Sequence, residues 1–389
     1  MEHISFLVTV VIITALAFDF TNGFHDTANS MATSIATGAL RPKVAVAISG
    51  MLNLAGAFLS VQVAKTISSG IIDEKSGLKP EVVFAALIGA ILWNLVTWLR
   101  GIPSSSSHAL YGGLIGATLV AVGTHGVHFD VVVTKILIPA VASPFVAGIA
   151  AWGATRLAYR ITRNSSEAAT GKGFKAGQIA SASLVSLAHG TNDAQKTMGI
   201  ITLTLVTAGV VAPGSNPPMW VIVSSGLAIA LGTYVGGWRI IRTMGTGIAD
   251  IAAPQGFTAQ TAAATVILTS SHMGFGLSTT QVCSGGIMGA GKGRTGGAVH
   301  WSTARRMAYA WGLTLPAAAV MAGLGALLTG QGTWGVVALA LIGAGASAWI
   351  YLISRRRTID HTNVVADTTA EDALAPLTPV PAATTTVAA

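Results

Sequence analysis

Two apolar segments, residues 4–39 and 178–209, are each long enough to cross a bilayer as a helix, and each carries a polar cluster in its interior. The cluster "NGFHDTANSMA" begins at Asn22, shortly after "ISFLVTVVIITALAF", and "HGTNDAQKTMG" begins at His189, after "QIASASLVSLA". Ionised groups in hydrocarbon are costly unless they face a partner or a water-filled cavity. Any fold of this chain must therefore bring the two clusters into a shared interior. Composition agrees: 9% of residues are charged and 52% hydrophobic, against about 25% charged in a soluble domain.

Apolar runs at 43–65, 81–99, 104–122, 131–155, 219–238, 257–273, 276–290, 307–329 and 335–354 complete a set of candidate spans. The expected fold class is an all-α polytopic membrane protein with about 10–12 membrane segments, counted from these runs. The net charge of +8 comes from basic residues in short loops, as in a membrane protein, so no nucleic-acid partner is expected. Cys283 is the single cysteine, which excludes an internal disulfide. "MEHISF" lacks a basic n-region, and the first apolar run reads as a retained helix.

The chain repeats itself. Gly23, Asp26 and Met31 recur 167 positions later as Gly190, Asp193 and Met198. "GIPSSSSHALYGGLIGA" (101–117) recurs as "GFGLSTTQVCSGGIMGA" (274–290), an offset of 173. Arg41 and Lys43 follow the first polar cluster, whereas Lys292, Arg294, Arg305 and Arg306 follow the second Ser-rich segment. Charge thus falls at opposite ends of equivalent helices, which predicts inverted repeats. The expected organisation is a first repeat over 1–156, a cytoplasmic linker over 157–177, a second repeat over 178–356 and a disordered Thr/Ala/Pro-rich tail over 357–389. The N-terminus is expected outside, with linker and C-terminus cytoplasmic; Lys65, Lys75 and Lys79 are an exception to that pattern.

On a helix Asn22, His25, Asp26, Asn29 and Ser30 form one polar stripe, and His189, Asn192, Asp193, Lys196 and Thr197 form its repeat. Asn and Gly weaken a helix at the start of each cluster, so discontinuous helices are expected there. Pro103 followed by Ser104, Ser105, Ser106, Ser107 and His108 reads as a helix N-terminus able to attract an anion, and Ser278, Thr279, Thr280 and Gln281 repeat it. "GIMGAGKG" (286–293) is not a phosphate-binding P-loop, because Gly293 stands where Ser or Thr would hold magnesium. No metal-ligand spacing and no nucleophile motif is visible, so neither an enzyme nor a resident metal or cofactor is expected.

"NGFHDTANS", "HGTNDAQKTMG" and "GIPSSSSHALYGGLIGA" resemble the paired signatures of the inorganic phosphate transporter (Pit/PiT) family, most closely its bacterial Pit branch. The resemblance spans 1–356. It implies a symporter of inverted repeats with helical hairpins, importing phosphate across the plasma (inner) membrane. The implied substrate site comprises Asp26, Asn29, Ser105, Ser106, Asp193, Lys196, Ser278, Thr279 and Thr280. Coupling-ion residues would be Asp26, Asp193, His25 and His189. His25 stands where many members have Asn, as in the bacterial branch, which is associated with protons and metal–phosphate complexes; sodium remains open. Asp26, Asp193 and Lys196 sum to −1, and hydrogenphosphate would make −3, so a cation must accompany the anion. The expected partners are phosphate and the lipid bilayer, and a homodimer is compatible with this architecture. A sulfate permease of the same fold and a phosphate-binding membrane receptor are the competing readings.

Overall fold

In hydrocarbon every backbone N–H and C=O must be satisfied within the protein, which leaves helices for a chain of this composition. The computed structural model describes residues 5–73 and 76–365. Its first half comprises α1 (Phe6–Ala36), α2 (Pro42–Gly56), α3 (Gln62–Lys65) with a π-helical turn (Thr66–Ile71), α4 (Pro80–Leu99), α5 (Ser106–Val122), α6 (Phe129–Val131) with a second π-helical turn (Val132–Leu137), and α7 (Ile138–Thr162). The second comprises α8 (Glu167–Thr207), α9 (Met219–Val235), α10 (Trp238–Thr246), α11 (Ala253–His272), α12 (Thr279–Gly293), α13 (Trp301–Thr329) and α14 (Thr333–Ser354). Among the described residues there are no strands, only the isolated bridges Ile72–Val127 and Ala249–Val299.

The all-α membrane fold is as expected, with fewer helices able to span alone. Five pass on length and apolarity, six if the α9–α10 pair, bent by 70°, is one broken span. α8 is long enough but too polar, and α2, α5 and α12 have only 15–17 residues. Outer faces of α7, α13 and α14 expose Ile149, Leu324 and Leu341, an apolar belt suited to lipid.

The halves interlock. α1 packs on α9 as α8 packs on α2, and α5 packs on α13 as α12 packs on α7. The closest approaches are reciprocal at backbone level. A Cβ on Gly112 would lie 2.3 Å from Leu315 O, and one on Gly285 would lie 2.2 Å from Pro144 O. Each glycine belongs to a G-xxx-G pair, the small-residue seam that lets membrane helices touch backbones.

Two expectations need correction. α1 and α8 run unbroken through the polar clusters. Gly23 and Gly190 would weaken isolated helices, but each lies under a neighbouring backbone: a Cβ there would meet Ile229 O at 2.4 Å and Asn53 O at 2.1 Å. Tertiary packing overrides propensity. The abrupt helix starts lie instead at Ser106 and Thr279, inside the protein. The segment 157–177 is mostly helix, with α7 continuing to Thr162 and α8 beginning at Glu167; its Glu, Ala and Lys residues favour that state.

The tail expected to be disordered from 357 is ordered through 365. Arg239 Nη2 donates to Ser354 O at 2.8 Å and also to Arg357 O, while Arg242 donates to Asn363 O. Val364 is buried. Thr362 donates from its hydroxyl and N–H to Asp360, holding that carboxyl below its usual range. Residues 366–389 of the expected tail lie outside the described residues.

Candidate functional site

Asp26 lies within α1 and Asp193 within α8, each joined to the residue before it. His25 Nδ1 is 2.6 Å from Asp26 Oδ1, and Asn192 Nδ2 donates to Asp193 Oδ1 at 2.7 Å. The other imidazole nitrogen of His25 is 3.1 Å from Thr97 Oγ1 of α4 and 3.3 Å from Ser104 Oγ, which fixes the ring. His189 Nε2 approaches Asp193 Oδ2 at 2.9 Å, and its Nδ1 is 3.2 Å from Asn53 Oδ1 of α2.

The N-termini of α5 and α12 arrive at these carboxylates. Ser106 donates to Asp26 Oδ1 at 3.3 Å, and its repeat partner Thr279 donates to Asp193 Oδ2 at 3.2 Å. Thr279 and Thr280 also reach across to Asp26, at 3.5 and 3.3 Å. Asn29 Nδ2 donates to Thr279 Oγ1 and Thr280 Oγ1, both at 3.1 Å. Lys196, the repeat partner of Asn29, donates to Ser107 Oγ at 2.6 Å and Leu277 O at 3.1 Å, and ion-pairs with Asp193. The Leu277 carbonyl also accepts from Asn192 at 2.9 Å and Ser107 at 3.2 Å.

Chemically this is an anion site with a cation requirement. The first-turn N–H groups of α5 and α12 have no acceptor within their helices, and both positive dipole ends converge on it with Lys196 and four hydroxyls. The same place holds two carboxylates. Asp26, His189 and Asp193 offer ligand atoms within 4.8 Å of one another, a set that could hold a cation. No sequence spacing marks this set, because its members lie on two helices of different halves. The site is closed: Asp26 is 2% exposed, Asp193 0% and Lys196 1%. A cavity of about 1130 Å³ lies between α7, α12 and α13, walled mostly by apolar side chains such as Trp152, Met288 and Trp311, with His108, Gln281, Lys292 and Arg305 also at its lining.

A phosphate transporter family model matches residues 22–172 and 160–322, most of the chain. The chain belongs to the phosphate transporter family. Membership makes it a multi-pass membrane transporter, not an enzyme. A Mycobacterium bovis protein described as "probable low-affinity inorganic phosphate transporter" is 55% identical over 374 residues, covering 93% of this chain and 87% of the relative. A Bacillus subtilis protein of the same description is 41% identical, covering 82% of this chain and 96% of the relative. A solved structure titled "The sodium-dependent phosphate transporter" is similar with TM-score 0.76 at 24% identity, covering 84% of this chain and 100% of that one; it shows the fold.

Within this family member, the structure brings Asp26, Asn29, Ser106, Asp193, Lys196, Thr279 and Thr280 together with His25 and His189. Ser105 and Ser278 also act as helix caps. Their hydroxyls accept from the backbone N–H of His108 at 3.2 Å and of Gln281 at 3.3 Å, so they cap α5 and α12. Ser107, outside the expected substrate set, stands with these groups against Lys196, and the offset of 173 pairs it with Thr280. Thr97, Asn53 and the Leu277 carbonyl left no such signal, because their roles depend on which helices pack together.

Proposed function

We propose that this protein imports inorganic phosphate across the plasma membrane by symport with a cation. The observation that carries the reading is the meeting of two buried carboxylates and one lysine, from duplicated motifs, at the N-termini of two helices that begin inside the protein. Ser106, Ser107, Thr279, Thr280, Asn29 and Lys196 would donate to phosphate oxygens, together with first-turn N–H groups. Asp26 and Asp193, with His25 and His189, would hold the compensating positive charge, as a proton or as the metal of a metal–phosphate complex. Sodium is the rival cation. The reciprocal packing of the halves supports a two-fold relation between them, and the loop charges support its inversion, with the N-terminus outside and the 157–177 segment and C-terminus cytoplasmic. Because the site is closed, transport requires each face to open in turn.

The deciding experiment is radiolabelled phosphate uptake into proteoliposomes under imposed proton or sodium gradients. Accumulation against the phosphate gradient supports symport. Binding without uptake would make the chain a receptor, and stronger competition by sulfate than by unlabelled phosphate would make it a sulfate permease.

A further inference from the structure

One buried carboxylate lies outside the site described so far. Asp19, two turns before Asp26 on α1, is fully buried, and neither of its oxygens has a hydrogen-bond partner. Its neighbours are Asn22 and Thr197 of α8. Neither makes a bond of ordinary geometry to it, and Asn22 Oδ1 and Thr197 Oγ1 are themselves buried without partners. Four unpartnered oxygens therefore lie together, with the Thr197 hydroxyl and the Asn22 amide as the donors nearest to them. A group orphaned in this way is costly in a low-dielectric interior.

One added proton resolves all four. A protonated Asp19 donates to Asn22 Oδ1, and the Thr197 hydroxyl donates to the other carboxyl oxygen. A sodium ion does not fit as well. It would find three side-chain groups, and unbroken α1 and α8 free no backbone carbonyls, which are what coordinate sodium in broken-helix transporters. The other titratable groups nearby are already engaged. Asp26 accepts from Ser106 and Thr280, Asp193 pairs with Lys196, both nitrogens of His25 have partners, and His189 Nε2 lies against Asp193 without a hydrogen bond of ordinary geometry.

We propose that Asp19, cradled by Asn22 and Thr197, is a further proton-carrying group of the transport cycle, beside the cation held at Asp26 and Asp193. The proton adds to an Asp19 carboxyl oxygen from the outer solution and leaves it for the cytoplasm after phosphate has gone. Thr197 directly follows Lys196 on α8, which links the Asp19 cradle to the phosphate site. Of the other helices against α1, α2 carries Lys43, α4 Glu81, α5 His108 and Tyr111, α9 Tyr234, α10 Arg239 and Arg242, α11 His272, and α12 Cys283 and Lys292 as ionisable groups. The assignment rests on the symport reading above.

The test compares wild type, Asp19→Asn and Asp19→Glu in proteoliposomes. Phosphate exchange at equal pH reads the substrate site. Accumulation under a gradient of about one pH unit reads coupling, with a ceiling of about tenfold for one proton per phosphate. Asp19→Asn is expected to keep exchange and lose accumulation, and Asp19→Glu to retain both. Accumulation by Asp19→Asn equal to wild type would overturn the proposal while leaving symport intact. Absence of accumulation by wild type under either a proton or a sodium gradient would refute symport itself. Should Asp19→Asn lose exchange too, Thr197→Val decides: a displaced pH profile of uptake supports the cradle, and an unchanged profile removes it.

Discussion

Replacing Lys196 with Met separates the structural role of the site from its transport role. Lys196 is 1% exposed and ion-paired with Asp193, which is fully buried. At an effective dielectric of about 20, opposite charges 4 Å apart attract by about 4 kcal/mol. Removing one member of a buried pair typically costs about 3–5 kcal/mol, because the survivor stays buried and uncompensated. His189, at 2.9 Å from Asp193, can supply part of the missing charge, so the lower end of that range is expected. Adding Asp193→Asn removes the orphaned charge while keeping the side-chain shape. The double variant should recover most of the lost stability but not phosphate binding. Thermal unfolding in detergent, read beside radiolabelled phosphate binding, measures both. A Lys196→Met protein as stable as wild type, or a double variant no more stable than the single one, would refute the buried-pair account.

Other expectations follow from the same geometry. Ser106→Ala should raise the half-saturation for phosphate by about tenfold or more, from one charge-assisted bond of about 1.5–3 kcal/mol; Ser105→Ala should cost about 1 kcal/mol of stability through its cap and spare affinity. Equal kinetic effects of the two would show that the cap and the donor are not distinct. Gly116→Val places side-chain atoms where even a Cβ would be 2.1 Å from Ala319 O, so the α5–α13 seam should open and thermal stability should fall by about 1–3 kcal/mol or more. An Asn164→Cys probe in a Cys283→Ser background should resist impermeant thiol reagents in intact cells, and labelling from outside would reverse the proposed topology.

The sequence made the membrane fold, the duplication and most of the anion site legible, because each leaves a local mark. Charge is scarce, motifs recur at fixed offsets, and Ser-rich helix starts adjoin Pro103. What it hid depends on packing. The unbroken course of α1 and α8 follows from backbones pressed on Gly23 and Gly190, which no propensity scale contains. The division of labour within "SSSS" follows from where α5 starts, since one residue decides which serine caps and which faces Asp26. Asp19 shows the same limit. It sits in plain view after an apolar run, and only its lack of partners in three dimensions separates it from its neighbours.

The interlocking of the halves has a consequence for how the protein is made. Asn29 finds its hydroxyl partners 250 and 251 residues further along the chain. At about 5–20 residues per second, the ribosome delivers Thr279 roughly 12–50 s after Asn29. During that interval α1 must wait with Asp26 and Asn29 lacking their second-half contacts, in a membrane that penalises such exposure. The nascent first half is therefore a client, one that needs a sheltered or wet holding place at the insertion machinery until its counterpart emerges. Truncation anywhere before α12 leaves that client without a partner and open to membrane proteolysis, and a chain cut between α7 and α8 can be rescued only by synthesising both pieces in the same cell.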